Sequence, residues 1–320
     1  MKAVLIDQGL AVVERADPVP AEGEALVRVT LAGICGTDVE LARGYMEFRG
    51  VPGHEFVGVV EEVAGSLGDG KRWRGRRVVG EINLACRSCD TCRTGLGRHC
   101  PARTVLGIAG KDGAHAERIT LPLVNLHEVP DGVPDRDAVF VEPLAAACEI
   151  LDQVDVAAAD RILVVGDGRL GQLVARVLRT VSPGVSVLGR HPAKLARLTS
   201  LGISATADRA SLPGGFDLVV EATGSPAGLY IAAGLVRPRG TLVLKSTYTG
   251  ERPIPVARLV VDEITLVGSR CGRFESALPR LVSGDVRVDD LVSDVFALAD
   301  AAKGYERSVA PGVIKVLLAP

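Results

Sequence analysis

Cys86, Cys89, Cys92 and Cys100 stand in the pattern C-x2-C-x2-C-x7-C, the densest cluster of metal-binding side chains in the chain. Four thiolates so spaced can close a tetrahedral shell around Zn²⁺ and leave no open position. The chemistry expected there is structural: the metal pins a lobe, residues 86–100, that carries few apolar residues of its own. Disulfides are the alternative, and a reducing compartment opposes them.

A second chemical signal is Gly166-Asp167-Gly168-Arg169-Leu170-Gly171, which fits G-x-G-x-x-G. The apolar run Ile162–Val165 precedes it and a helix-like stretch, Leu173–Leu178, follows, the context that a dinucleotide fingerprint requires. Gly166 permits the tight turn, Gly168 lets the backbone approach a pyrophosphate, and Gly171 allows close packing. Leu170 lies inside the motif, and the helix N-terminus then faces the anion. The residue ending the second strand selects the cofactor, because an acid there accepts from the ribose 2′-hydroxyl. That place falls on Gly189, followed by Arg190 and His191, and the strand end offers no carboxylate. Arg190 is suited to a 2′-phosphate, so NADP(H) is favoured over NAD(H).

A third set is dispersed: Cys35 in Gly33-Ile34-Cys35-Gly36-Thr37-Asp38, His54-Glu55 in Pro52-Gly53-His54-Glu55-Phe56, and Glu142 in Val141-Glu142-Pro143. Singly, Cys35 reads as well as a small buried hydrophobe, His54 as a satisfied polar group and Glu142 as a helix-start acid. Spacing alone does not join them.

The elements that must position these groups fall into two textures. The first part alternates as strands do, most clearly over Glu24–Leu31, with turns at Asp17-Pro18, Pro52-Gly53 and Gly68-Asp69-Gly70. An antiparallel, barrel-like domain is predicted. The texture changes near Pro130–Pro134, and a helix is predicted through Ala138 to Leu151. Short apolar runs then alternate with helical segments: Ile162–Val165, Val185–Leu188, Leu218–Val220, Thr241–Leu244 and Ile264–Val267. Uninterrupted apolar strands alternating with helices indicate a parallel sheet covered on both faces. The rhythm stops at about Phe274, and Val313–Leu318 reads as a strand that returns to the first domain.

Composition bounds the function. At 320 residues, two domains are the natural expectation, and 47% hydrophobic residues suffice for a large core, packed by aliphatics because aromatics are 3%. The net charge of −2 provides no field to gather nucleic acid or anionic membrane. Arg72, Arg74, Arg76 and Arg77 cluster locally and read as a solvated loop. The N-terminal apolar stretch is too short for a signal-peptide core, and no run is long enough to span a bilayer. A soluble, cytoplasmic protein is expected, in which seven cysteines point to metal or catalysis. Cys148 and Cys271 read as core or near-core thiols, and His99, His115, His127 and His191 as surface or structural residues, His191 alone being placed to neighbour the ribose.

Taken together, G-I-C-G-T-D, G-H-E, the four-cysteine lobe, E-P-L-A, V-G-D-G-R-L-G and E-A-T-G at Glu221–Gly224 resemble, in order and along the whole chain, the zinc-containing medium-chain dehydrogenases. The branch resembled is that of threonine, sorbitol and glucose dehydrogenases. The resemblance implies an α/β fold: a GroES-like β-rich catalytic domain (residues 1–137, with a return over 273–320) around a Rossmann doubly wound domain (138–272). It implies that Cys35 and His54 ligate a catalytic zinc and that Glu55 and Glu142 supply carboxylates, one direct and one near or exchanging with water. It further implies that Thr37 hydrogen-bonds the substrate oxygen and starts a proton relay, and that Thr223 and Gly224 belong to the cofactor site. One departure stands out: relatives often carry His two residues after the Asp of C-G-T-D, and here Glu40 takes its place and the relay.

The function expected is hydride transfer between a secondary alcohol, of polyol, sugar or amino-alcohol type, and NAD(P). A zinc with three protein ligands keeps a position open for substrate oxygen and lowers the alcohol's pKa. Two alternatives remain: a zinc-free quinone or enoyl reductase-like enzyme, which needs no Cys35–His54–Glu142 set, and a non-catalytic NAD(P)-sensing or nucleic-acid-binding protein. Small-molecule substrates, no nucleic acid, no membrane and a homo-oligomer, dimer or tetramer, complete the expectations.

Overall fold

A computed structural model describes residues 1–65, 70–247 and 254–320. The described chain divides into two compact units, Met1–Glu142 with Leu291–Pro320, and Pro143–Asp290. Of the turn at Gly68-Asp69-Gly70, Gly68 and Asp69 lie outside the described residues.

The first unit is built on a seven-stranded sheet running Leu126–Glu128, Arg77–Gly80, Glu55–Val63, Glu24–Gly33, Lys315–Ala319, Val292–Ala297, with Arg118–Pro122 also on Glu24–Gly33. Alternation over Glu24–Gly33 places Ala25, Val27 and Val29 in the core and Arg28 and Thr30 on the other face, as the period of two demands. Ladders are antiparallel except Val292–Ala297 with Lys315–Ala319, which is parallel. The strand predicted at Val313–Leu318 forms as Lys315–Ala319 and pairs with Ala32 and Gly33 at the far end of the chain. The cysteine lobe follows Asn83–Leu84, which pairs with Thr104–Leu106 in a separate small sheet. Arg77 does not belong to a solvated loop: it starts a strand and pairs with Asp135 at 2.8 Å.

The second unit holds a six-stranded, wholly parallel sheet in the order Ser204–Thr206, Val185–Leu188, Ile162–Val165, Phe216–Glu221, Val236–Leu244, Thr265–Gly268. Ile162–Val165, at the centre, is buried along its whole length. That explains its uninterrupted apolar run, each buried aliphatic contributing about 1.5–3 kcal/mol. The edge strand Ser204–Thr206 is short and polar and carries no apolar run to signal it. The predicted helix over Ala138–Leu151 is two: Asp135–Ala138, then Val141–Gln153. Among the described residues, no helix is long and apolar enough to cross a membrane.

Candidate metal centres and dinucleotide cleft

In the lobe, the sulfurs of Cys86 and Cys92 are 3.9 Å apart, Cys89 and Cys92 3.5 Å, Cys89 and Cys100 3.9 Å, and Cys86 and Cys100 3.5 Å. A tetrahedron with Zn–S of about 2.3 Å has S–S edges of about 3.8 Å, so these four thiols fit a closed Zn²⁺ shell. Their separations also exclude disulfides, whose S–S bond is about 2.05 Å.

The dispersed set converges in part. Candidate ligand atoms of Cys35, His54 and Glu55 all lie within 4.8 Å of one another. Each is delivered by a local device. Cys35 is the extended residue capping the short helix Gly36–Ala42, and its amide donates to Asp38 Oδ2 at 2.7 Å, folding the turn back. His54 follows Gly53, whose φ of +99° and contact with the His115 ring leave no room for a β-carbon. Glu55 opens the strand Glu55–Val63 beneath Gly33, where a β-carbon would strike its carboxylate.

Asp38 ties the turns together. Fully buried, it also accepts from the Gly53 amide at 3.1 Å and lies 3.3 Å from His54 Nδ1. Burial opposes its ionisation, but the His54 imidazole overrides this and holds the carboxyl at about 2. Burial likewise pulls His54 down, while the Asp38 carboxylate and the Cys35 thiol together hold it well above the usual range. His54 Nδ1 is buried without a hydrogen bond of good geometry. A soft thiolate, an imidazole and a carboxylate within one metal's reach fit a divalent zinc-type cation.

Glu142 is half-buried at the start of Val141–Gln153 and is not part of that group among the described residues. Thr37 Oγ1 is 4.0 Å from Cys35 Sγ. Glu40 is exposed and paired with Arg43 at 2.8 Å, an arrangement of the helix's outer face. Three further residues complete the neighbourhood: Lys315 and Tyr305, which the sequence did not single out, and His115, read there as surface or structural. Lys315 is buried against the Glu55 carboxylate, its ammonium 5.7 Å from the Phe140 ring. Its signal was a lone cation inside the apolar run Val313–Leu318. His115 is wholly buried, with ring nitrogens 2.9 Å from Tyr305 Oη and 3.2 Å from the Gly33 carbonyl. Burial pushes the His115 imidazole down and the Tyr305 phenol up, so both stay neutral.

In the second unit, a cleft is lined by Gly166, Gly168, Gly189, Arg190, Thr223 and their neighbours. Gly166 has φ +124° and a β-carbon there would lie 2.6 Å from the Ala222 carbonyl; one on Gly171 would strike the Gly166 carbonyl. Nothing lies within 4 Å of a β-carbon on Gly168, which leaves that backbone open to an approaching anion, as a pyrophosphate requires. Leu170 and Gly171 sit in the first turn of Arg169–Arg179 and are not among the residues lining the cleft. The buried Glu221 orients Thr223, accepting from its amide at 2.7 Å and its hydroxyl at 2.6 Å, and the Gly224 amide donates to Ser246 at 2.7 Å. At the selector corner a carboxylate is present after all: Asp167 reaches over from the fingerprint and accepts from the amides of Arg190 and His191.

Comparisons with known proteins agree with this architecture. The alcohol dehydrogenase GroES-like domain family matches residues 21–131 and the zinc-binding dehydrogenase family matches residues 170–283. The structure of alcohol dehydrogenase TADH from Thermus sp. ATN1 aligns with TM-score 0.89 at 31% identity, covering 100% of this chain and 99% of that one. That of the rspB alcohol dehydrogenase from Escherichia coli CFT073, complexed with NADH, aligns with TM-score 0.91 at 27% identity over 100% and 99%. In sequence, L-galactonate-5-dehydrogenase from Escherichia coli K12 is 28% identical over 92% of this chain and 91% of its own. With a GroES-like unit carrying two zinc-type donor sets and a Rossmann unit carrying a dinucleotide cleft, the chain belongs to the zinc-dependent medium-chain alcohol dehydrogenase family.

Proposed function

We propose that the protein oxidises a secondary alcohol of polyol or sugar-acid type, or reduces the matching ketone, with NADP(H) favoured over NAD(H). The observation that carries this reading is the convergence of Cys35, His54 and Glu55 within 4.8 Å. The relative that acts on L-galactonate supports the substrate class. Gly189, which cannot bear an acid, and Arg190 on the cleft wall support the cofactor preference.

Cys35, His54 and Glu55 would hold the catalytic zinc, with Glu142 the second carboxylate, and Cys86, Cys89, Cys92 and Cys100 the structural one. When bound, the catalytic metal supplies Lewis acidity toward a substrate oxygen, and the nicotinamide supplies the hydride chemistry. The chain's own part is to bind, orient and move a proton. Thr37 Oγ1 takes the hydroxyl proton of the substrate and passes it outward; Glu40, on the exposed face of the same helix, receives it in the place where relatives carry histidine. Asp38 fixes the His54 ring, and Lys315 fixes the Glu55 carboxylate, so neither donor swings freely. The first unit, Met1–Glu142 with Leu291–Pro320, serves catalysis, and the second, Pro143–Asp290, serves cofactor binding. Thr223, Gly224 and the fingerprint Gly166–Gly171 hold the dinucleotide.

A cytoplasmic homo-oligomer is also part of the reading. Thr265–Gly268 is an edge strand, and Val256, Val260 and Val261 on the helix before it are 59%, 69% and 78% exposed. An edge strand beside exposed valines supports pairing with a second copy.

Metal analysis tests the centre of the proposal. Two zincs per chain are expected, whereas the zinc-free reductase alternative expects none. A panel of sugars, polyols and sugar acids with NADP⁺ and NAD⁺ tests the rest: turnover of activated alkenes with no alcohol oxidised refutes it.

A further inference from the structure

The end of the strand Val185–Leu188 carries no side chain at Gly189, yet the corner is filled. Asp167 Oδ2 accepts from the amides of Arg190 at 2.8 Å and His191 at 2.7 Å, and Oδ1 lies 3.0 Å from His191 Nδ1. A β-carbon built on Gly189 would lie 2.6 Å from both the β-carbon and Oδ2 of Asp167. Real β-carbons do not come so close, and neither partner can retreat cheaply. Gly189 is part of a backbone turn, and Asp167 is a short side chain held by three polar groups. The glycine is therefore not dictated by its own backbone dihedrals, since its φ is not in the left-handed region.

We infer that Asp167 is a specificity-determining residue of the dinucleotide cleft: it occupies the volume that a side chain at position 189 would need. In this way it bars a ribose-binding acid from the strand end. Two backbone amides and an imidazole hold its own carboxylate in place at the corner. The cleft wall beyond the strand end is left to Arg190 and Lys194. Burial, with the Arg169 and Arg190 cations, pulls the Lys194 ammonium down against the opposing Asp167 carboxylate. Cations crowded at one cleft wall attract an anion on the bound nucleotide, which a 2′-phosphate provides and a ribose hydroxyl does not. The inference deepens the cofactor reading above and rests on it for its second half only.

The test is a double-mutant cycle on the full chain. Thermal midpoints and the affinities for NADPH and NADH are measured by titration of nicotinamide fluorescence. Gly189→Ala should lower the midpoint in the wild-type background and not in Asp167→Gly. Gly189→Asp alone should weaken both dinucleotides by about tenfold or more, whereas Asp167→Gly with Gly189→Asp should bind NADH about tenfold more tightly than NADPH, the effect of one regained charge-assisted hydrogen bond. If Gly189→Asp does not fold, its rescue by Asp167→Gly is the same result in stronger form. Equal cost of Gly189→Ala in both backgrounds, or a stable Gly189→Asp protein that already prefers NADH, overturns the exclusion. Wild-type protein that binds NADH as tightly as NADPH overturns the cofactor preference, and the selectivity half with it, while leaving the exclusion standing on the midpoints.

Discussion

The two metal-donor sets of the first unit are made in opposite ways. The lobe takes all four thiols from one short segment, and its sulfurs lie 3.5–3.9 Å apart around one point. The second set takes Cys35 from a helix cap, His54 from a glycine turn and Glu55 from a strand start, then buries Lys315 from the far end of the chain behind it. A local site needs only its own loop to form, whereas a dispersed one exists only once the sheet has closed. The first can therefore be lost with little damage elsewhere, and the second cannot be perturbed without engaging the fold.

The largest effect separating the two is catalytic. Replacing Cys35 by Ala should lower kcat/KM by at least about a thousandfold, several kcal/mol of transition-state stabilisation, while dinucleotide affinity in the second unit stays unchanged. Cys89→Ser should remove one zinc per chain and make residues 86–100 the first site of proteolysis, because for so small a lobe metal binding supplies the folding free energy. Retention of two zincs in that variant would break the comparison.

Next in size is the support behind Glu55. Lys315 and Glu55 have side chains 2% and 1% exposed, so Lys315→Met strands a buried carboxylate. A loss of about 3–5 kcal/mol in urea unfolding is expected, and Glu55→Gln in the same chain should recover part of it. A loss below about 1 kcal/mol would mean that water reaches the pair. Tyr305→Phe should cost about 1–3 kcal/mol by leaving His115 Nδ1 unsatisfied in the interior.

The smallest effect lies in the second unit and depends on pH. Contacts with His191 and the Arg190 amide outweigh burial, which opposes them, and hold the Asp167 carboxyl below its ordinary 3.8. Because the folded value is the lower one, its contribution is complete above about pH 4 and is lost as pH falls through the folded value. Asp167→Asn should flatten this part of the acid limb in a series of thermal midpoints between about pH 5 and 2.5. An unchanged limb would show that the carboxylate gains nothing from its partners.

How far the residues could be read in advance follows the same division. The buried strands Ile162–Val165 and Val185–Leu188 were legible to the residue, since burial on both faces demands an apolar run. Ser204–Thr206 was not, because a short edge strand needs no such run. The helix at Ala138–Leu151 was read as one because periodicity does not register the break between Asp135–Ala138 and Val141–Gln153. In the site, Cys35, His54 and Glu55 were given roles through motifs; Asp38 and His115 were named without these contacts and Lys315 was given no role, since their roles arise from contacts between distant segments.

Sequence alone determined the four-thiol lobe, the glycine fingerprint and the parallel-sheet rhythm, because each is written within a span short enough for local geometry to act on. Only the tertiary structure decided which carboxylate meets Cys35 and His54, what charge backs it, and that Asp167 fills the corner at Gly189. The reason is that burial and packing are properties of the folded interior: a lysine in an apolar strand or an aspartate in a glycine turn acquires its partner only when chain closure places one there.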